Sequence, residues 1–78
     1  MPKTIRTSEY KQVVERLKQA RLDVGLTQKE VSEKIMKPQS YISKVEAGEQ
    51  RVDIIELKIF ADLYKKDLNF FIKWYVKK

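Results

Sequence analysis

Residues 27–48 read TQKEVSEKIMKPQSYISKVEAG, and this stretch decides the fold because it predicts two short helices joined by a tight turn. The first helix opens with a capping box, in which the Thr27 side chain accepts from the Glu30 N–H and the Glu30 side chain accepts from the Thr27 N–H. Pro38 disfavours the helical conformation in the residue before it and is itself suited to a helix start, where its missing N–H would have had no partner. The stretch therefore predicts a helix, a turn and a second helix.

The second of these helices combines a buried stripe with a polar surface. Ile42 and Val45 form the stripe, and Gly48 stands where a left-handed residue commonly ends a helix. Gln, Ser and Lys side chains occupy the other sides, which is what reading of the DNA major groove requires. A solvated polar face would be the ordinary interpretation of such a helix in isolation. The turn and the partner helix favour the DNA-reading interpretation instead.

Two segments of the chain resemble the Cro/Xre helix-turn-helix domain of phage repressors and bacterial regulators: GLTQKEVSEKI at residues 25–35 and SYISKVEAGE at residues 40–49. The resemblance runs from about residue 17 to about residue 72. It implies an all-α, lambda-repressor-like domain of five helices, in which the second and third helices form the helix-turn-helix. Met36 departs from the pattern, since many relatives carry glycine in this turn. Either the turn differs here or the fold tolerates the strain of a non-glycine residue at positive φ.

Composition limits the classes of protein to which the chain can belong. Its 78 residues suit one small domain, near the lower size limit for a self-sufficient core. The absence of cysteine and histidine excludes a disulfide framework and the usual structural zinc ligands. The net charge of +6 suits a polyanionic partner, and it equally suits simple solubility. Neither an apolar run able to span a bilayer nor a signal peptide is evident, so we expect no membrane association and a cytoplasmic location.

The chain before the helix-turn-helix is expected to contain an arm and one long helix. Residues 1–6 show no periodicity and are predicted to form a flexible arm, which could touch phosphate but more often would have no function. Residues 7–78 then form the single domain, with Thr7 or Ser8 as the cap of the first helix. Helical spacing predicts the core face of that helix, which comprises Tyr10, Val13, Leu17, Ala20 and Val24.

Arg21 lies among these apolar positions and needs a hydrogen-bond acceptor. The resemblance implies that the acceptor is Glu46, because Cro/Xre domains commonly pair an arginine and a glutamate at these two places. A partly buried guanidinium is well matched to a bidentate carboxylate. The pair would align the first helix with the reading helix. The alternative is two separately solvated charges.

The C-terminal third of the chain predicts two further helices. Asp53 and Glu56 form a second capping box, followed by a core stripe that includes Ile54. Residues 67–78 are predicted to form a terminal helix with two apolar faces, more than so small a domain can bury within one chain. Such a surface indicates an interface, and Cro/Xre domains often carry dimer contacts in this region. The alternative is that the terminal tryptophan covers the core of the monomer. The predicted dimer contacts are Leu68, Phe70, Phe71 and Trp74.

Enzymatic chemistry finds little support in the sequence. No histidine is available as a base, no cysteine as a nucleophile, and no glycine-rich loop as a phosphate cradle. The carboxylates are placed as helix caps and surface partners of lysine. We therefore expect no catalytic residue, metal, cofactor or small-molecule ligand.

The resemblance and the polar reading helix together predict a sequence-specific transcriptional regulator that binds double-stranded DNA as a homodimer on a palindromic operator. The predicted base contacts are Pro38, Gln39, Ser40 and Lys44. The predicted contacts to the DNA backbone are Gln28, Lys29, Tyr41, Ser43 and Arg51. The alternative is a protein-interaction module, such as an antitoxin or an adaptor, that would use the terminal helix.

Overall fold

The computed structural model describes residues 8–76, with side chains described as far as residue 72. No strand occurs in this part of the chain, so the all-α class is confirmed, as is the five-helix architecture. The predicted arm, residues 1–6, and the candidate cap Thr7 lie outside the described residues. The helices in chain order are α1 Ser8–Asp23, α2 Gln28–Ile35, α3 Gln39–Glu46, α4 Ile54–Leu63 and α5 Asn69–Val76.

Capping boxes begin α2 and α4, as the sequence predicts. Thr27 Oγ1 accepts from the Glu30 N–H at 3.0 Å, and Glu30 Oε1 accepts from the Thr27 N–H at 2.8 Å. Asp53 and Glu56 make the same reciprocal pair at 2.8 and 3.1 Å. Each cap satisfies N–H groups that have no partner within the helix and contributes about 1 kcal/mol. The starts of α2 and α4 are therefore fixed by local sequence.

The hydrophobic core takes residues from all five helices. Helix α2 packs on α3, and α1 packs on both α3 and α5, so α1 links the helix-turn-helix to the C-terminal helix. On α1 the buried stripe includes Val14, while Tyr10, Val13 and, just after the helix, Val24 are only half-buried. The prediction that Ile54 belongs to the core is wrong, since this residue in the first turn of α4 is 61% exposed. The buried cluster comprises Leu17, Ala20, Val31, Ile42, Val45, Leu57, Phe60, Ala61, Tyr64 and Phe71.

The turn between α2 and α3 places Met36 in the left-handed region, with φ 61° and ψ 43°. This is the conformation that glycine adopts at no steric cost, so the turn keeps its shape and the fold tolerates the strain. The Met36 side chain is 89% exposed, and packing therefore does little to offset that strain. Lys65, which follows α4, has a φ of 59° and occupies the same region.

Met36→Gly should stabilise the protein by about 0.5–1 kcal/mol. Glycine removes a left-handed strain of about 1–2 kcal/mol, and its greater freedom in the unfolded chain cancels part of that gain. Urea unfolding measures the difference, with Met36→Ala as the control because alanine keeps the Cβ and hence the strain. A glycine variant no more stable than the alanine variant would show that Met36 is unstrained.

Candidate nucleic-acid interface

Helix α3 turns one face to the core and the other to solvent. Ile42 and Val45 are each 1% exposed, whereas Gln39, Ser40 and Lys44 are exposed. Pro38 is the exposed N-cap, in extended conformation with φ −63° and ψ 152°. The structure therefore places the four predicted base contacts at the surface, three of them on the first residues of the helix or immediately before it.

The orientation of α3 is fixed by an ion pair between Arg21 and Glu46. Arg21 Nε lies 2.7 Å from Glu46 Oε2 and Arg21 Nη2 lies 3.0 Å from Glu46 Oε1, so the pair is bidentate. The two side chains are only 9% and 5% exposed. Arg21 Nη1 also donates to the Leu26 carbonyl at 2.8 Å. One guanidinium therefore links α1, the segment before α2 and the end of α3.

Hydrogen bonding to Glu46 raises the pKa of Arg21 above its usual value. A guanidinium stays protonated in proteins, so the charge of Arg21 does not switch. Arg21 therefore remains a constant donor to the scaffold. Its role is alignment of the exposed α3 face, and neither side chain is accessible enough to contact DNA.

Gln28, the first residue of α2, takes part in the same cluster. Its Nε2 donates to Glu46 Oε1 at 3.0 Å. A primary amide has two N–H groups and one oxygen, so one N–H and the oxygen remain for another partner. Its backbone N–H also lies in the first turn of α2, where an anion is favoured. Gln28 thus braces α3 and keeps groups that suit a phosphate contact.

The position of Tyr41 does not suit the DNA-backbone contact that the sequence predicts for it. Its hydroxyl is buried near the Glu56 carboxylate and makes no hydrogen bond of good geometry with any described residue. Burial, followed by the charge of Glu56, raises the pKa of Tyr41 to about 12. The side chain packs against the core and lines a shallow cleft with Lys37 and Glu56. The structure gives no support to a phosphate contact by this hydroxyl.

Lys37 is a candidate that the sequence analysis missed. It is exposed in the turn between α2 and α3, and its Nζ lies 5.1 Å from the centre of the Tyr41 ring. An ammonium over an aromatic face is held there by the ring quadrupole. Its place between the two helices, directly before Pro38, was the available signal.

Besides Lys34 near the end of α2, four exposed cations belong to the helix-turn-helix and the loop after it. None of them forms an ion pair with another residue in the part of the chain that the structure describes. Unpaired cations are free to exchange counterions for phosphates. The four cations are Lys29, Lys37, Lys44 and Arg51. The predicted backbone contact Ser43, on α3, is exposed as well.

The predicted dimer contacts divide into three groups. Phe71 is 0% exposed, because α5 packs on α1 and buries one of its faces in the core, so Phe71 cannot serve as a free anchor. Leu68 and Phe70 are half-buried. Trp74 belongs to α5, but its side chain lies outside the described residues.

Two cations lie over the Phe70 ring. Arg16 lies 5.3 Å and Lys66 lies 4.6 Å from the centre of its ring. Arg16 Nη1 also donates to the Phe70 carbonyl at 3.0 Å, which fixes the start of α5 against α1. Much of the Phe70 ring is therefore already in contact within one chain.

No helix in the described range 8–76 is long and apolar enough to cross a bilayer. Residues 8–72 likewise contain no group of three acidic, histidine or cysteine side chains placed to hold a metal ion.

Comparison with known proteins gives one positive finding. A search of curated proteins finds no match. A family model described as helix-turn-helix, of the Cro/C1 type, matches residues 17–71. The match begins in the middle of α1, includes all of α2, α3 and α4, and ends at Phe71 in α5. The chain therefore belongs to the Cro/C1-type helix-turn-helix family of DNA-binding regulators.

Proposed function

We propose that this protein is a sequence-specific transcriptional regulator that binds as a homodimer to a palindromic operator, with α3 in the major groove. The observation that carries the proposal is the division of α3 into two faces. Its apolar face is buried and its C-terminal residue is held by Arg21, while Gln39, Ser40 and Lys44 are exposed. A rigid helix with short polar side chains at its N-terminus suits base reading.

The exposed side chains have distinct base-reading chemistry. The Gln39 amide matches the donor and acceptor of adenine N6 and N7, and the Lys44 ammonium matches the acceptors of guanine. Pro38 offers an apolar surface to a thymine methyl group, and Ser40 can donate or accept. Contacts to the DNA backbone then set the register without reading sequence. We assign that role to Gln28, Lys29, Lys37, Ser43 and Arg51.

Binding to duplex DNA at several salt concentrations tests the proposed function. The logarithm of affinity should fall linearly with the logarithm of salt concentration, because cations that neutralise phosphates release counterions. A selected duplex should bind about 10³-fold or more tightly than a random one. Salt-dependent binding without discrimination between duplexes would reduce the proposal to non-specific DNA binding. Absence of binding at low salt would overturn it.

A homodimer is part of the proposal because one reading helix covers too few base pairs to select an operator. Two copies of α3 about 34–36 Å apart would read two half-sites one DNA turn apart. Half-buried Leu68 and Phe70 lie on the same terminal segment as Trp74, and an apolar surface of this kind suits a two-fold contact.

Trp74→Ala should shift the protein towards monomer and lower operator affinity while the fold survives, because a dimer anchor contributes mainly to association. Analytical ultracentrifugation of wild type and variant, together with circular dichroism, measures both effects. A wild type that is monomeric at tens of micromolar would contradict the dimer. Unfolding of the variant would instead assign Trp74 to the core.

A second candidate, a protein-interaction module such as an antitoxin or an adaptor, is favoured by the apolar surface of α4. Ile54, Ile55 and Ile59 are 61%, 67% and 48% exposed. Ile59 also lines a shallow cleft with Ile35 and Lys37. Tight association with a different protein, combined with no specific DNA binding, would favour this candidate. Loss of that association in Ile55→Glu would locate the contact on α4.

A further inference from the structure

Tyr10, on the first turns of α1, reaches the loop that follows the reading helix. Its hydroxyl donates to the Gln50 carbonyl at 3.2 Å and accepts from the Val52 N–H at 3.0 Å. These two backbone groups flank Arg51. The tyrosine is half-buried, and burial raises its pKa, so the phenol stays protonated and able to donate at neutral pH. We call this pair of hydrogen bonds the Tyr10 clamp.

The clamp supports this part of the loop together with the packing of half-buried Val52 against the core. Residues 47–49 are held by backbone hydrogen bonds to the end of α3. Residues 50–52 make no such bonds in the described chain, and the other side-chain bond to their backbone comes from within the loop, from Gln50 to the Arg51 carbonyl. The two bonds to Tyr10 therefore supply the hydrogen bonds from another helix that hold the backbone on both sides of Arg51.

We propose that Tyr10 is a positioning residue for DNA binding, which fixes the backbone on both sides of Arg51 and so presents its guanidinium to a phosphate. This inference rests on the proposed function. Arginine loses considerable rotamer freedom when it is immobilised at an interface, and a prearranged backbone reduces the ordering needed on binding. Tyr10 does not itself contact DNA in this arrangement. It acts through Arg51.

A double-mutant cycle with Arg51 tests the proposal. Tyr10→Phe keeps the ring and removes both hydrogen bonds, and we expect it to weaken DNA binding about 3- to 10-fold. In the Arg51→Ala background, the same substitution should have no further effect. Arg51→Ala should also weaken binding to all sequences and lower the salt slope by about 1. An equal effect of Tyr10→Phe in both backgrounds would overturn the proposal, because it would show a general effect on the fold.

Lys58→Ala supplies the matched control background. Lys58 is another exposed cation, paired with Asp62 on α4, and lies outside the helix-turn-helix and its loop. Tyr10→Phe should keep its full effect on DNA affinity in this background. Loss of the effect there as well would show that the coupling follows net charge, and this would overturn the specific link to Arg51.

Amide hydrogen exchange of the free protein tests the clamp without DNA. The Val52 amide should exchange faster in Tyr10→Phe than in wild type, while amides in the middle of α1 remain protected. Unchanged exchange at Val52 would overturn the clamp even where DNA binding holds. Absence of DNA binding by wild type would overturn the proposed function and the positioning role with it, and faster Val52 exchange would then support the clamp as a loop contact alone.

Discussion

Replacing Glu46 with alanine should destabilise the fold by about 3–5 kcal/mol, because it leaves the buried Arg21 guanidinium without its carboxylate. The Arg21 and Glu46 side chains are 9% and 5% exposed, so water cannot readily replace the lost partner. Gln28 loses an acceptor in the same step. A small domain of total stability near about 5 kcal/mol would approach complete unfolding. Thermal and urea unfolding followed by circular dichroism measure the loss.

An exposed ion pair on α4 provides the control for this prediction. Lys58 Nζ lies 2.8 Å from Oδ1 of Asp62, four residues later on the same helix, and the two side chains are 58% and 66% exposed. Asp62→Ala should cost less than about 1 kcal/mol, because solvent screens exposed pairs and hydrates the remaining charge. Equal losses for Glu46→Ala and Asp62→Ala would contradict the view that burial of the Arg21 pair sets its importance.

Phe71→Ala should cost about 3–5 kcal/mol in the free energy of unfolding. The Phe71 ring is fully buried, and its removal leaves a cavity between α5 and the rest of the core. The loss should be independent of protein concentration, because it arises within one chain. Urea unfolding at two protein concentrations measures both features.

Phe70→Ala is the matched comparison, since the two residues are adjacent and of the same type. Phe70 is half-buried and keeps Arg16 and Lys66 over its ring, so its removal opens a smaller cavity and breaks two weak cation–π contacts. We expect a clearly smaller loss than for Phe71. Equal losses, or a loss at Phe71 that depends on protein concentration, would place Phe71 in a dimer contact instead of the core.

The parts of the fold that the sequence predicts well depend on interactions between residues close in the chain. The capping boxes at Thr27 and Asp53 are four-residue patterns, and each forms as expected. Pro38 likewise marks the start of α3 by its own restricted geometry. The buried stripe of Ile42 and Val45 follows from helical spacing alone. These local signals were sufficient to locate the helix-turn-helix.

Features set by packing between distant segments could not be predicted in the same way. Periodicity predicts two apolar faces on α5, but which of them meets α1 depends on how the helices pack. The burial of the Tyr41 hydroxyl also depends on neighbours from α4. The sequence left open whether Met36 would be left-handed or the turn would differ, and the structure shows the left-handed conformation. Methionine adopts that conformation only when the surrounding turn requires it. Tyr10 fits the helical stripe of α1, and nothing in that spacing reveals its bonds to the loop 40 residues later.

Parallel selection of binding sites from random duplex DNA, with wild type and Gln39→Ala, tests the central claim most directly. We predict that wild type enriches a palindrome whose half-sites are centred about 10–10.5 base pairs apart. Gln39→Ala should lose about 1–3 kcal/mol of discrimination at one base position in each half-site and retain the others. Identical enriched sequences for the two proteins would contradict base reading by Gln39, and no enrichment by wild type would contradict sequence-specific DNA binding by α3.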